Sequence, residues 1–232
     1  MSDRPNILWY CSDQQRFDTI SALGNPHINT PRLDAFMQTA TTFTHAFCQS
    51  PICTPSRSSF LTGMYPSAVG VNGNGNARFP RHRESRLITN RLAANGYDCG
   101  LVGKLHLASP ARGREERVDD SYRYFQYSHD HKGSRVFGHD YAEWVREQGG
   151  DADALLGDYI TSSYREGAKV KTFGGLYEPT ADNDNVPPEL HQTFWCTEKA
   201  IEFVDKNRSA DQPWLLSVNA FDPHAPFDAP YE

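Results

Sequence analysis

Four stretches of this sequence carry chemically able side chains: Asp13 with Gln14, Cys53 with Arg57, Lys104 with His106, and Asp222 with His224. The densest is C-T-P-S-R, Cys53 to Arg57, inside the longer stretch Cys48 to Gly63. Pro55 has a fixed φ and no backbone donor, which suits the first turn of a helix. Three serines, Phe60 and Leu61 continue the run, and Gly63 ends it as a C-terminal glycine does. A short helix is predicted, with Cys53 just ahead of its N-terminus. Free N–H groups and the positive end of the dipole favour an anion there, and Arg57 adds a fixed cation one turn away. Lys104 and His106 are two residues apart, so in extended chain they face one side, a cation beside a titratable imidazole. Such a set suits an anionic substrate. Each stretch also has a plain structural reading. A free cysteine is commonly a small core hydrophobe. Asp13 is a good cap for a helix or turn, Lys104 and His106 fit an ordinary exposed pair, and Asp222 fits a turn.

The surrounding elements decide where these side chains end up. Asn6 to Cys11 is a short apolar run that predicts a buried strand near the middle of a sheet. Asp13 and Gln14 follow it, in the place where ligands gather beyond the carboxyl ends of strands in open α/β sheets. Thr30 is predicted to cap a helix from Pro31 to about Thr39, with Leu33, Phe36 and Met37 on one face. His27 reads as a loop histidine. Thr41 to Phe47 is β-rich and predicts a strand leading to Cys53. Val71 to Asn76 is a turn-rich loop without the G-K-[ST] of a phosphate-binding loop, either plain surface or pocket lining. Glu84 to Asn95 predicts a helix, Tyr97 to Gly103 a third strand, Tyr141 to Glu147 a short helix, Glu189 to about Asn207 a long helix, and Trp214 to Asn219 a fourth strand. Residues 108–188 are polar and aromatic, with His129, His131 and His139 at no metal-binding spacing. They read as an insertion over the sheet edge, where substrate selectivity would lie.

C-T-P-S-R resembles the C-x-P-x-R signature of the type I sulfatases, an alkaline-phosphatase-like superfamily. The other stretches resemble the family in the same order: D-Q after the first strand, G-K-x-H at Gly103 to His106, and P-H-x-P-F around His224. The resemblance spans nearly the whole chain. It implies an α/β fold, a mixed and mostly parallel sheet flanked by helices. It also implies that Cys53 is oxidised to formylglycine by a formylglycine-generating enzyme acting on Cys53 to Arg57. Asp13, Gln14 and the modified Cys53 would share a divalent cation, Ca2+ or else Mg2+ or Mn2+, which suits hard oxygen ligands. In the implied mechanism one hydroxyl of the formylglycine diol attacks the sulfur of a small-molecule sulfate ester. His224 protonates the leaving alcohol, and Lys104, Arg57 and the cation neutralise the transferring group. His106 takes the proton of the second hydroxyl as the aldehyde re-forms and sulfate leaves. A phosphate, phosphodiester or phosphonate ester hydrolase on the same scaffold is the alternative, and a non-catalytic or truncated remnant is another.

Composition narrows the classes. The chain has 232 residues, 38% hydrophobic and 22% charged, with a formal net charge of -6. That is a globular composition, and its scattered basic residues suggest neither nucleic acid nor an anionic membrane as partner. No apolar stretch is long enough to span a bilayer, and the start M-S-D-R-P-N lacks a signal-peptide pattern. Five cysteines in no paired spacing point to free thiols and a cytoplasmic setting. Cys48 and Cys53 match half a zinc knuckle, without a second pair. The oligomeric state is not legible. The chain ends shortly after His224, whereas the resemblance implies further metal ligands and another basic residue in a later half. The expectation is an N-terminal part of a longer catalytic domain, with an incomplete sheet and an exposed apolar edge.

Overall fold

The structure, a computed structural model, describes residues 4–74, 78–110, 113–130, 138–156 and 186–225. His131, Asn76 and most of the second half of the 108–188 segment fall outside them. Four parallel strands, β1 (Ile7–Cys11), β2 (Asp98–Gly103), β3 (Tyr124–Tyr127) and β4 (Trp214–Asn219), form one sheet in the order β1-β4-β2-β3. The helices are α1 (Pro31–Met37), α2 (Cys53–Thr62), α3 (Pro66–Val69), α4 (Ile88–Ala94), α5 (Asp140–Glu147), α6 (Ala152–Leu156) and α7 (Gln192–Asn207). Parallel neighbours need long crossovers, and the two central strands β2 and β4 are buried along their whole length. Side chains alternate across β2. Cys99 and Leu101 join a core with Leu61, Leu87 and Leu215, while Val102 joins one with Trp195, Phe203 and Leu216. Gly100 lies under α7, where a Cβ would stand 2.9 Å from the Phe203 ring.

The register places the site. Cys11, Asn219 and Gly103 lie at one level across β1, β4 and β2. Each strand therefore delivers its next residues to the same edge: Asp13, the segment to His224, and Lys104. A Cβ on Gly103 would fall on the carbonyl oxygen of Asn219, so only glycine permits this approach. Lys104 N–H then donates to that oxygen at 3.0 Å.

Several expectations are corrected. β1 is at the edge among the described strands, not near the middle, and Leu8, Trp9 and Tyr10 are exposed. Its continuous apolar run is the mark of a strand meant to be covered on both faces, and among the described residues nothing pairs with its outer edge. Thr41 to Phe47 is not a strand but turn and loop. Its β-branched residues find no sheet partner, and propensity without a partner makes no strand. α1 has no buried residue, and its Thr30 hydroxyl bonds the Asp34 carboxylate rather than a helix N–H. The predicted helix from Glu84 divides into a 3-10 turn, Arg81–Arg86, and α4. The long helix begins at Gln192, after a 3-10 turn at Pro188–Leu190. Part of the 108–188 segment is built into the fold, because β3 extends the sheet and α5 packs Tyr141, Ala142 and Val145 into the core. All five cysteines are free, as expected.

Candidate active site

The helix predicted after Cys53 forms as α2, with Cys53 at its first position and Gly63 closing it in the left-handed conformation at φ 68°. No side chain of the N-cap residue Ile52 serves its N–H groups. Asn74 does so from twenty residues downstream, accepting Thr54 N–H at 2.9 Å. Asn74 belongs to the turn-rich loop, which therefore lines the pocket. A cap supplied from so far along the chain leaves no local signature, and the residue was not singled out.

A cleft of about 520 Å³ opens over this helix end, with Asp13, Gln14, Cys53, Arg57, Asn74 and His224 among its lining residues. Beneath it, Lys104 Nζ lies 2.6 Å from Asp13 Oδ2 and 4.0 Å from Cys53 Sγ. Arg57 Nη2 reaches the same Asp13 oxygen at 3.2 Å, and Arg57 Nη1 donates to the Lys104 carbonyl at 2.7 Å. One carboxylate thus faces two buried cations, and the surplus positive charge adjoins Cys53. Burial raises the Asp13 pKa, but Lys104 and Arg57 outweigh it and hold the carboxyl below its usual range. Burial likewise raises the Cys53 thiol, and the hydrogen bond with His224 and the Lys104 charge bring it below its ordinary value.

His224 Nδ1 is 2.5 Å from the Ala225 carbonyl oxygen. A carbonyl can only accept, so Nδ1 carries the proton and Nε2 is left for the cleft. Ligand atoms of Asp13, Cys53 and His224 all lie within 4.8 Å of one another, the described residues' one cluster able to hold a metal ion. Asp222 supports this loop: its carbonyl accepts Asp13 N–H at 3.2 Å and its carboxylate accepts the Thr193 hydroxyl at 2.5 Å.

His106 is placed differently from an extended K-L-H. Its φ is 56°, so the chain turns after Lys104, and its ring meets the edge of His129 at 4.2 Å. It is buried and does not line the cleft. Burial, with Lys104 and Arg57 nearby, lowers it to about 2, so it is uncharged. His129, at no metal-binding spacing in the sequence, is buried beside His106. Glu115 was not singled out at all. It is buried, and its carboxylate accepts the backbone N–H groups of His106 at 2.7 Å and Leu107 at 3.1 Å. The adjacent acidic residues Glu115 and Glu116 look alike in sequence, yet one is interior and the other pairs with Arg78 on the surface.

Comparison with known proteins gives the family and the fold. The family profile described as Sulfatase matches residues 5–232. An arylsulfatase of Clostridium perfringens is 27% identical over 98% of this chain and 45% of its own. A crystal structure of Ps i-CgsB in complex with k-i-k-neocarrahexaose superposes with TM-score 0.65 at 21% identity, over 97% of this chain and 46% of its own. The phosphonate monoester hydrolase of Agrobacterium radiobacter superposes with TM-score 0.60 at 25% identity, over 98% of this chain and 42% of its own. The chain thus spans less than half the length of these relatives.

Proposed function

The chain belongs to the sulfatase family, and we propose that it supplies the nucleophile-bearing part of a sulfuric ester hydrolase in which Cys53 is converted to formylglycine. The observation that carries this reading is the meeting of Cys53, Asp13, Lys104 and His224 at one helix N-terminus. A formylglycine-generating enzyme acting on Cys53 to Arg57 is the partner it requires.

The donor set tests whether a metal fits. With a thiol at position 53, the Asp13, Cys53 and His224 cluster is soft. With an oxygen there, Asp13, Gln14 and residue 53 become hard donors around one cleft, which fits Ca2+ first and Mg2+ or Mn2+ as alternatives. When bound, the cation and the formylglycine supply an acidic hydroxyl as nucleophile and a Lewis acid for the sulfate oxygens. The chain's own residues do the rest. Arg57 and Lys104 hold the anion against the helix end and offset charge as the ester bond breaks. His224, held through Nδ1–H to the Ala225 carbonyl, presents Nε2 to the leaving oxygen and donates from there in its doubly protonated, imidazolium form. His106, uncharged, is the acceptor for a proton in this reading; burial foremost and then Lys104 and Arg57 suppress its basicity, and a bound sulfate ester would offset the charge of the two cations. We assign the choice of alcohol to the segment 108–188.

A phosphonate or phosphate ester hydrolase is the second reading, favoured by the Agrobacterium structure. Turnover of matched aryl sulfate and aryl phosphate esters by the full-length protein separates the two. A sulfatase prefers the sulfate, and a preference for the phosphorus ester establishes the second reading instead. Cys53→Ala and Cys53→Ser are each expected to lose most turnover, and wild-type-like turnover in either removes the formylglycine mechanism.

A further inference from the structure

Glu115 has no obvious reason to be where it is. A carboxylate taken out of water is costly unless its oxygens are paired, and this side chain is 1% exposed with His129 Nδ1 no nearer than 4.0 Å. Its partners are two successive backbone donors. Oε2 accepts His106 N–H and Oε1 accepts Leu107 N–H, at 2.7 and 3.1 Å. Successive N–H groups around a left-handed residue form a concave anion-binding nest, and His106, at φ 56°, is that residue. A histidine in this conformation persists only where its surroundings hold it.

The rest of the segment is clamped from other directions. Lys104 N–H is bound to Asn219 and its carbonyl to Arg57. The Leu107 carbonyl accepts Phe79 N–H at 2.8 Å, and Glu115 holds the two amides in between. It is itself anchored away from the cleft: its N–H donates to the Tyr127 hydroxyl at 3.3 Å, and the carbonyl of nearby Gly113 accepts from His139 Nε2 at 2.7 Å. A chain of contacts therefore runs from β3 through Glu115 to the backbone of His106.

We propose that Glu115 is a positioning residue of this site, which acts through the His106 and Leu107 amides to fix the turn between Lys104 and the His106 ring. It touches neither substrate nor nucleophile. The catalytic half of the proposal rests on the sulfatase reading; the structural half does not.

The test uses amide hydrogen exchange on the 232-residue chain carrying Glu115→Ala or Glu115→Gln. Removing the acceptor is expected to speed exchange at His106 and Leu107 by about tenfold or more, while amides inside β2 stay protected. Formate, a carboxylate small enough for the vacated nest, is expected to restore protection in Glu115→Ala. Glu115→Gln keeps the shape with one acceptor oxygen, so one of the two amides stays slow; this variant decides the matter if the alanine variant loses protection throughout. In full-length protein that hydrolyses an aryl sulfate, either variant is expected to lower kcat by about 10–100-fold, as loss of a supporting residue does, with KM little changed and formate restoring the alanine variant. Unchanged exchange at His106 and Leu107 overturns the proposal even if the protein is an active sulfatase. Accelerated exchange in a protein with no sulfatase activity upholds the clamp and overturns only the functional reading.

Discussion

Lys104 Nζ lies 2.6 Å from Asp13 Oδ2, and the two side chains are 1% and 10% exposed. With Arg57 on the same oxygen at 3.2 Å, the carboxylate is what allows two cations to be buried together. Removing one member of such a set leaves an uncompensated interior charge. Asp13→Ala is therefore expected to destabilise the fold by about 3–5 kcal/mol. Adding Lys104→Met to it is expected to recover part of that loss, which urea denaturation of the single and double variants measures. A double variant as unstable as the sum of the two singles contradicts the coupling.

Before oxidation, the thiol of Cys53 is held below its ordinary range, whereas burial pushes Cys99 up to about 11 and raises Cys196 further. The thiolate is the reactive form. Iodoacetamide is expected to label Cys53 well ahead of Cys99 and Cys196 in the folded, unoxidised chain. His224→Ala removes a hydrogen bond that favours the thiolate, so labelling of Cys53 slows several-fold. Peptide mass mapping over a time course reads both effects, and equal labelling of the three cysteines contradicts them.

Gly103 joins the sheet to the site. It holds φ 96°, and a side chain there would collide with the Asn219 backbone. Gly103→Ala is expected to cost more than about 2 kcal/mol, combining left-handed strain with backbone overlap. Because Lys104 N–H bonds that same carbonyl, the variant also displaces the lysine from Asp13. Thermal melting gives the first effect and loss of aryl sulfate turnover the second; a melting temperature equal to wild type contradicts the close approach.

Acid stability follows from the buried groups around Glu115. Burial lowers His106 to about 2 and places His129 and His139 below the ordinary histidine range. Each holds a proton less tightly folded than unfolded, so unfolding below about pH 6.5 takes up protons. Their contribution is present above that pH and lost as pH falls. Glu115 runs the other way, because burial pushes it up to about 7. Its contribution is present below about pH 4.5 and lost as pH rises towards 7. Lys104, Arg57 and Tyr127 also face this cluster. Between about pH 6.5 and 4.5 the three histidines take up protons on unfolding and Glu115 releases one, so unfolding takes up protons on balance. Stability is expected to fall as pH drops through this window. Urea denaturation at a series of pH values measures the slope, and stability that rises on acidification in this window contradicts it.

Much of the site was legible because single residues carried single physical meanings. Pro55 and Gly63 bounded α2, and three apolar runs ending in polar residues marked the strand ends at β1, β2 and β4. Where meaning depended on distant partners, the sequence was mute. The run at Ile7 to Cys11 reads the same whether its strand is central or at an edge. Residues 41–47 have strand propensity but no strand to pair with. β3 hid in an aromatic, polar stretch, since Tyr124 to Tyr127 shows no clean alternation. Glu115 and Asn74 reach the site through backbone N–H groups 8 and 20 residues away, and such contacts leave no trace in local spacing.

The central claim is that residue 53 acts as an aldehyde-derived nucleophile, and the mass of the peptide spanning Cys53 to Arg57, taken from protein purified from its native host, tests it most directly. The account predicts the mass of formylglycine at position 53. An intact cysteine thiol there, in protein that turns over an aryl sulfate, contradicts it.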